Sequence, residues 1–492
     1  MNTYTFSSKL KTFSFILMAL GFVGIVVGFL NAPKTIEDVE KILADTHHHE
    51  AAHVEKPTHD VHTHAVAIDT AKTSEVTTQT VSDSAVAANK VADTAASVVA
   101  DAKVNAPKKE TVAHDANHDK GHAEHVLHQL QNKPWAALYV ACIFFMLISV
   151  GVLAFYAIQY ASQAGWSPIL YRVMEGITAY LLPGSIIFFI LLVLSSLHFN
   201  HLFAWMNPDV INPEHVDFDK LIFNKKGWLN ATRFLITAAL FLGVWNYFRF
   251  KFVKNSLEQD TATDNAPYKR NFKLAAAFLV IFIVTESIMS WDWIMSVDPH
   301  WYSTLFGWYV FASFFVSGIT VIALVTIYLK TKGYLPNVNT SHIHDLAKFM
   351  FGLSIFWTYL WFSQFMLIWY SNIPEEVTYF VTRIQHYNFP FFGMLIVNFI
   401  FPLLILINTD FKRLSWIVVL AGVLLLFGHY IDFFVMIMPA TVGDQWFIGI
   451  PEIGALMFFL GLFIFIVFNA LTKAPIEPKG NPFIEESKHF HY

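Results

Sequence analysis

Residues 285–310 read TESIMSWDWIMSVDPHWYSTLFGWYV. Glu286 falls inside an apolar run and Asp292 at its far end, and a short aromatic turn then leads straight into a second apolar run. An acid in hydrocarbon is costly, so its presence marks either an ion pair that ties helices together or a group with a function.

The runs around this stretch set the fold class. Of 492 residues, 55% are hydrophobic and 14% charged, whereas soluble domains carry about 25% charged residues. A soluble enzyme is excluded, and the chain reads as an all-α integral membrane protein. Apolar stretches fall at 135–158, 176–198, 228–248, 272–294, 304–329, 346–370, 388–408, 414–437 and 452–470. Each can cross a bilayer at about 1.5 Å per residue. An earlier run at 13–30, behind Lys9 and Lys11, reads as a retained anchor rather than a cleaved signal, because no strong small-residue cleavage site follows it. Ten spans result.

Between the anchor and the second span, residues 31–134 contain no Trp, Tyr or Phe, and hold 16 Asp or Glu against 10 Lys. A segment so poor in aromatics cannot bury a core and is expected to be largely disordered. Its histidines cluster, first as HHHEAAH from His47, His48 and His49 to His53, then as HDANHDKGHAEHVLH. The spacing suits loose zinc or copper binding, and equally a solvated linker with no ligand. The single cysteine, Cys142, excludes an intrachain disulfide, a CxxCH haem attachment and a four-thiolate cluster. Net charge is −5, and no nucleic-acid partner is expected.

Basic residues sort the loops. Lys9 and Lys11, Arg172, the group from Arg249 to Arg270, Lys330 and Lys332, Lys412 and Arg413, and Lys473 to Lys488 all fall on one side. Asp298, Glu375, Glu376, Asp444 and Glu452 fall on the other. The positive-inside bias therefore predicts that both termini are cytoplasmic and the His-rich segment extracytoplasmic.

The chain also repeats itself. At an offset of 140 residues, Lys273 overlays Arg413, Asp292 overlays Asp432 and Pro299 overlays Pro439. At 176, Arg172, Met174 and Gly176 overlay Lys348, Met350 and Gly352; at 170, Tyr139 and Phe144 overlay Tyr309 and Phe314. Spans two to five thus read as an older copy of spans six to nine, in the same orientation. The predicted units are an anchor at 1–30, the His-rich segment at 31–134, four-helix bundles at 135–298 and 299–440, and a last span with tail at 441–492.

Depth along the helices sorts the ionisable groups. Arg233 reaches the level of Asp292, so the two are expected to pair. Asp432 occupies the corresponding level of the second bundle, with His429 one turn before it. Arg172 with Glu175, and Asp345 with Lys348, mark the opposite end. Glu286 has no evident partner. These groups read either as the lining of two half-channels for protons or as structural ion pairs. Trp291, Trp293, Trp301, Tyr302 and Trp308 form an interfacial belt, or a wall for a flat ring beside Asp292. The histidines His198, His201, His386 and His429 do not make the paired pattern of a di-haem cytochrome b.

Ten spans, two parallel four-helix bundles and the stretch SIMSWDWIMSVDPHWYSTLFGWYVFA resemble the polysulfide-reductase/NrfD family of quinone-interacting membrane subunits over residues 135–470. More narrowly they resemble the two such subunits of alternative complex III, the bacterial quinol:cytochrome c oxidoreductase. The insertion after the first span and the short cofactor-free tail are similar to the F subunit. The resemblance implies a bacterial inner-membrane location and partners that include an NrfD-like sister subunit, an iron–sulfur subunit and multihaem cytochrome c subunits. It implies no metal on this chain and menaquinone as the ligand open to it. The positions that correspond in place to the family's outer-side quinol pocket are Asp292, Arg233 and His198. A stand-alone secondary transporter is the competing expectation; it would show inverted repeats and helices broken at the midplane.

Overall fold

The structure, a computed structural model, describes residues 3–39 and 115–491. The cluster at His47, His48, His49 and His53 lies outside the described residues. Residues 35–125 form a unit of their own, and residues 1–34 with 126–492 form the other.

The described residues of the larger unit are mostly helical, joined by loops, and ten of its helical segments are long and apolar enough to cross a membrane. The chain is an all-α, multi-pass membrane protein. Its helices are α1 (Ser8–Leu30), α2 (Asp115–Ala161), α3 (Tyr171–Thr178) and α4 (Leu181–Ser196), which share the third span, then α5 (Ala231–Gln259) and α6 (Ala266–Trp293). After the aromatic turn come α7 (Leu305–Thr331), α8 (Thr340–Ser371), the short α9 (Pro374–His386), α10 (Asn388–Leu395), α11 (Phe401–Leu406), α12 (Ser415–Val442) and α13 (Ile450–Leu471).

Three elements differ from the reading of the sequence. Helix α2 begins at Asp115, twenty residues before Trp135, so the end of the segment expected to be disordered is helical. Ala, Glu, Gln and Leu between 123 and 131 are good helix formers, and the lack of aromatics that argued for disorder does not oppose the extension of an adjoining helix. Helix α9, between the seventh and eighth spans, is too short to cross a bilayer and was not expected. The eighth span is broken: α10 and α11 are joined by a π turn at Ile396–Ile400 that ends just before Pro402, whose missing N–H and ring bulk disturb the ladder.

Helices α2 and α7 are the first of the two repeats, and they form the buried centre. Their most apolar windows are 94% and 89% buried, against 17% for α1. They meet on glycines: a Cβ at Gly151 would lie 2.8 Å from the Phe314 carbonyl oxygen, and one at Gly318 3.0 Å from the Val152 nitrogen. Small residues let backbones approach where no hydrophobic force distinguishes a helix from lipid. Around this centre α5 packs on α4 and α6, while α8 and α12 pack on α7 and α10 packs on α12. At the edge, α1 lies along α13, where a Cβ on Gly24 would sit 2.9 Å from the Gly454 Cα.

Candidate functional site

At the far end of α6, Asp292 is fully buried and closed. Arg233 donates to it in a bidentate fork, Nη1 to Oδ2 at 2.7 Å and Nη2 to Oδ1 at 2.8 Å. Trp228 adds its indole N–H to Oδ1 at 3.0 Å, and its ring stacks under the Arg233 guanidinium at 4.2 Å. The local sequence builds this: Asn230 caps α5 by accepting from the Arg233 amide, and Arg233 Nε donates to the Trp228 carbonyl. The charge is matched and both carboxylate oxygens are occupied. Such a carboxylate is poorly placed to receive a ligand directly, while Arg233 keeps part of its side chain exposed. His198 does not join them; it is exposed in the loop after α4 with φ +61°.

Of the expected aromatic wall, Trp291, Trp301 and Tyr302 lie beside the pair, whereas Trp293 is fully buried and Trp308 lines a different cavity. Trp228, Trp291, Trp301, Tyr302 and Lys225 line a cavity of about 320 Å³. Burial pushes the Lys225 ammonium below its usual pKa, and its Nζ donates to the Pro299 carbonyl at 2.6 Å.

The twin position in the second bundle is built from other chemistry. Asp432 on α12 is also fully buried, but its donors are neutral. Tyr309 donates to Oδ1, Ser313 to Oδ2 at 2.7 Å and the Trp357 indole N–H to Oδ2 at 2.8 Å. Ser313 Oγ also lies 3.0 Å from Nδ1 of His429. Because the Ser313 hydroxyl hydrogen is given to Asp432, Nδ1 of His429 is the donor in that contact and Nε2 the lone-pair side. That Nε2 is buried and has no hydrogen-bond partner among the described residues. Arg383, the cation nearest in role to Arg233, stacks on Tyr379 at 3.3 Å but spends its donors on the carbonyls of Val435, Met436 and Tyr379.

Polar groups continue from this cluster. Trp357 shares one face of α8 with Ser354, Trp361 and Gln364, spaced three, four and three residues apart. Ser354 Oγ, Trp361 Nε1 and Gln364 Nε2 are buried without a protein partner, as are both polar atoms of Asn398 in the π turn. Asn398 lies hard against α12, where a Cβ on Gly428 would sit 2.0 Å from its Oδ1.

Glu286 is buried among apolar groups at the junction of α2, α6 and α7, on a cavity of about 250 Å³ walled by Ile158, Phe282, Trp308 and Phe311. Its carboxyl receives only serines of its own helix, Ser290 at 3.1 Å and Ser287 at 3.3 Å. At the other end, Arg172 pairs with both Glu175 and Asp260 at 2.5 Å and bonds Ser256, while Tyr156 donates to Glu175 at 2.6 Å. Lys348 Nζ lies 3.1 Å from Asp345.

Sequence reasoning missed Tyr309, Ser313, Trp357, Trp228 and Arg383. One signal was present. Tyr139 and Tyr309 align in the repeat, and both hydroxyls bond the acid-bearing helix, Tyr139 to the Trp293 carbonyl at 2.7 Å and Tyr309 to Asp432.

The fold and site define a ten-span helical membrane protein in which Asp432, Ser313 and His429 form a buried hydrogen-bonded cluster. No protein-family model and no curated protein matches this chain.

Proposed function

We propose that this chain is a membrane subunit of a respiratory quinol:cytochrome c oxidoreductase of the alternative complex III type, and that its second repeat carries a proton route through Asp432, Ser313 and His429. The observation that carries the proton reading is the divergence of the twin acids: one is neutralised by a guanidinium, the other is held by three neutral donors next to an imidazole. An ion pair without a titratable neighbour is built to stay charged, whereas a carboxyl linked through a hydroxyl to a histidine can exchange a proton.

The step balances within the chain. A proton taken up at Nε2 of His429 gives the imidazolium. Its Nδ1 proton passes to Ser313 Oγ as the Ser313 hydroxyl proton moves to Asp432 Oδ2, leaving neutral imidazole and neutral carboxyl. The partnerless atoms along α8 and Asn398 support a hydrated lead to this relay, since buried polar atoms without a protein partner are ordinarily bonded to ordered water. The basic loops support a bacterial cytoplasmic membrane with both termini cytoplasmic, which puts the relay in the outer half.

Menaquinol is the ligand this reading calls for, and the indole-lined cavity beside Trp228 suits a flat ring better than Asp292 itself does. When bound there it would bring two electrons and two protons to the outer side; this chain's own share is to seat the ring between indoles and to offer Lys225 as a donor.

Purification of the full chain from its source membrane tests the assignment: haem c and iron–sulfur subunits should co-purify, and a monodisperse preparation lacking both would overturn it. The transporter reading draws on one observation, the eighth span broken beside a buried Asn398. The third span is also interrupted, between α3 and α4, but the repeat pairs the third span with the seventh, so the two breaks are not at equivalent positions.

A further inference from the structure

At the end of the bundle that carries the basic loops, a cavity of about 380 Å³ opens between α3, α4, α5 and the chain that follows α13. Its lining is of two kinds. Arg172, Arg249 and Lys473 supply cations, with Glu175 the only acid among the lining residues. Leu182, Pro183, Val253, Leu257 and Ile466 supply apolar surface, and Leu182 and Leu257 are 51% and 40% exposed.

The charges are not equally committed. Arg172 is satisfied by Glu175 and Asp260, apart from its Nε, which is buried and has no partner. Glu175 is in turn occupied by Arg172 and Tyr156. Arg249 makes one long hydrogen bond, Nε to Thr178 Oγ1 at 3.4 Å, and no ion pair among the described residues; Lys473 likewise has none. Arg249 thus shares the single charge of Glu175 with Arg172, and Lys473 has no ion pair among the described residues, so cationic charge exceeds acidic charge in the lining, beside apolar residues that reach the outer surface.

We propose that this cavity binds the headgroup of an anionic phospholipid, its phosphate held by Arg249 and Lys473 and its acyl chains laid along Leu182, Pro183 and Ile466. A guanidinium with both Nη groups unused matches phosphate oxygens bidentately, and an ammonium adds a point charge. Basic pockets between spans next to the basic loops suit such headgroups. A free phosphate would satisfy the cations but leave the apolar lining unfilled. The inference does not rest on the quinol reading.

The test uses the full chain, with whatever subunits co-purify, washed in detergent and reconstituted into nanodiscs of phosphatidylglycerol or phosphatidylcholine. Native mass spectrometry counts retained lipid, and thermal unfolding reports stabilisation. Wild type should retain phosphatidylglycerol and be stabilised by it over phosphatidylcholine. The double variant Arg249→Gln with Lys473→Gln should lose retention about tenfold or more, as expected for removing two charge-assisted contacts. Its elution volume and helical content should match wild type. Equal retention of both lipids, or no change in the double variant, overturns the proposal. Equal stabilisation by inorganic phosphate in phosphatidylcholine discs assigns the site to a free anion and overturns it as well. If the double variant fails to fold, Lys473→Gln alone, on an exposed side chain, carries the same comparison.

Discussion

Asp292 and Asp432 occupy matching positions in the two repeats, 140 residues apart in sequence, yet only Asp292 meets a guanidinium. In the second repeat Arg383 turns to backbone carbonyls instead, and Asp432 is left with a tyrosine, a serine and a tryptophan. The two sequence-matched positions thus differ in chemistry, an ion pair across helices in one and a carboxyl held by three neutral donors in the other.

The two acids should therefore fail differently when neutralised. Asp292→Asn leaves Arg233 without its counter-ion and should cost about 3 kcal/mol in stability, seen as a lower unfolding temperature and poorer assembly. Asp432→Asn keeps acceptors for its three donors only in part, and should leave assembly near normal while removing most proton translocation. Loss of assembly by both in equal measure would return Asp432 to a structural role.

Ser313→Ala breaks the link between His429 and Asp432 without removing either. Proton release coupled to turnover should fall roughly tenfold or more, while Ser317→Ala, one turn on and bonded only to the Ser313 carbonyl, should not change it. Equal effects in stopped-flow proton-release assays would exclude the relay.

Glu286→Gln should lower proton translocation more than quinol oxidation, because its carboxyl has no cation and only its own helix's serines. If the ratio of protons moved to quinol oxidised is unchanged, Glu286 has no special part.

Gly318→Val should be among the most damaging apolar changes, since its Cβ alone would stand 3.0 Å from the backbone of α2. Overpacking at such a contact costs about 1–3 kcal/mol or more. Gly352→Ala, where no atom lies within 4 Å, serves as the control in the same thermal melts.

In the loop before α5, Asp219 accepts from the Leu221 and Ile222 amides and lies 2.5 Å from the His300 ring. Burial alone would raise its pKa, but the His300 hydrogen bond and the two amides hold the carboxyl below its usual value. A depressed carboxylate contributes stability above its unfolded pKa and loses it as the pH falls through the folded one. Protection factors for hydrogen exchange at the Leu221 and Ile222 amides, taken against the intrinsic rate at each pH, should be high near neutrality and fall only below about pH 4. A fall in protection between pH 7 and 5 would mean that some other group holds the loop.

The sequence determined the number of spans, because each is a run of side chains whose transfer to lipid is a local property, readable residue by residue. It determined the repeat, because Asp292 and Asp432, and Tyr139 and Tyr309, sit at fixed offsets whatever the packing. It placed Arg233 at the depth of Asp292, because a helix advances by a constant rise. What surrounds Asp432 was decided by tertiary structure alone: Ser313, Trp357 and Arg383 lie on three different helices, and the packing of α7, α8 and α9 on α12 brings them together. The breaks were of the same kind. Pro402 was visible, but that the disturbance takes the form of a π turn with Asn398 against Gly428 follows from how α10 and α11 pack on α12. Polar side chains such as Ser313 and Trp357 carry no sign of their partners in the sequence. Their meaning comes only when a neighbouring helix brings an acid within hydrogen-bonding distance.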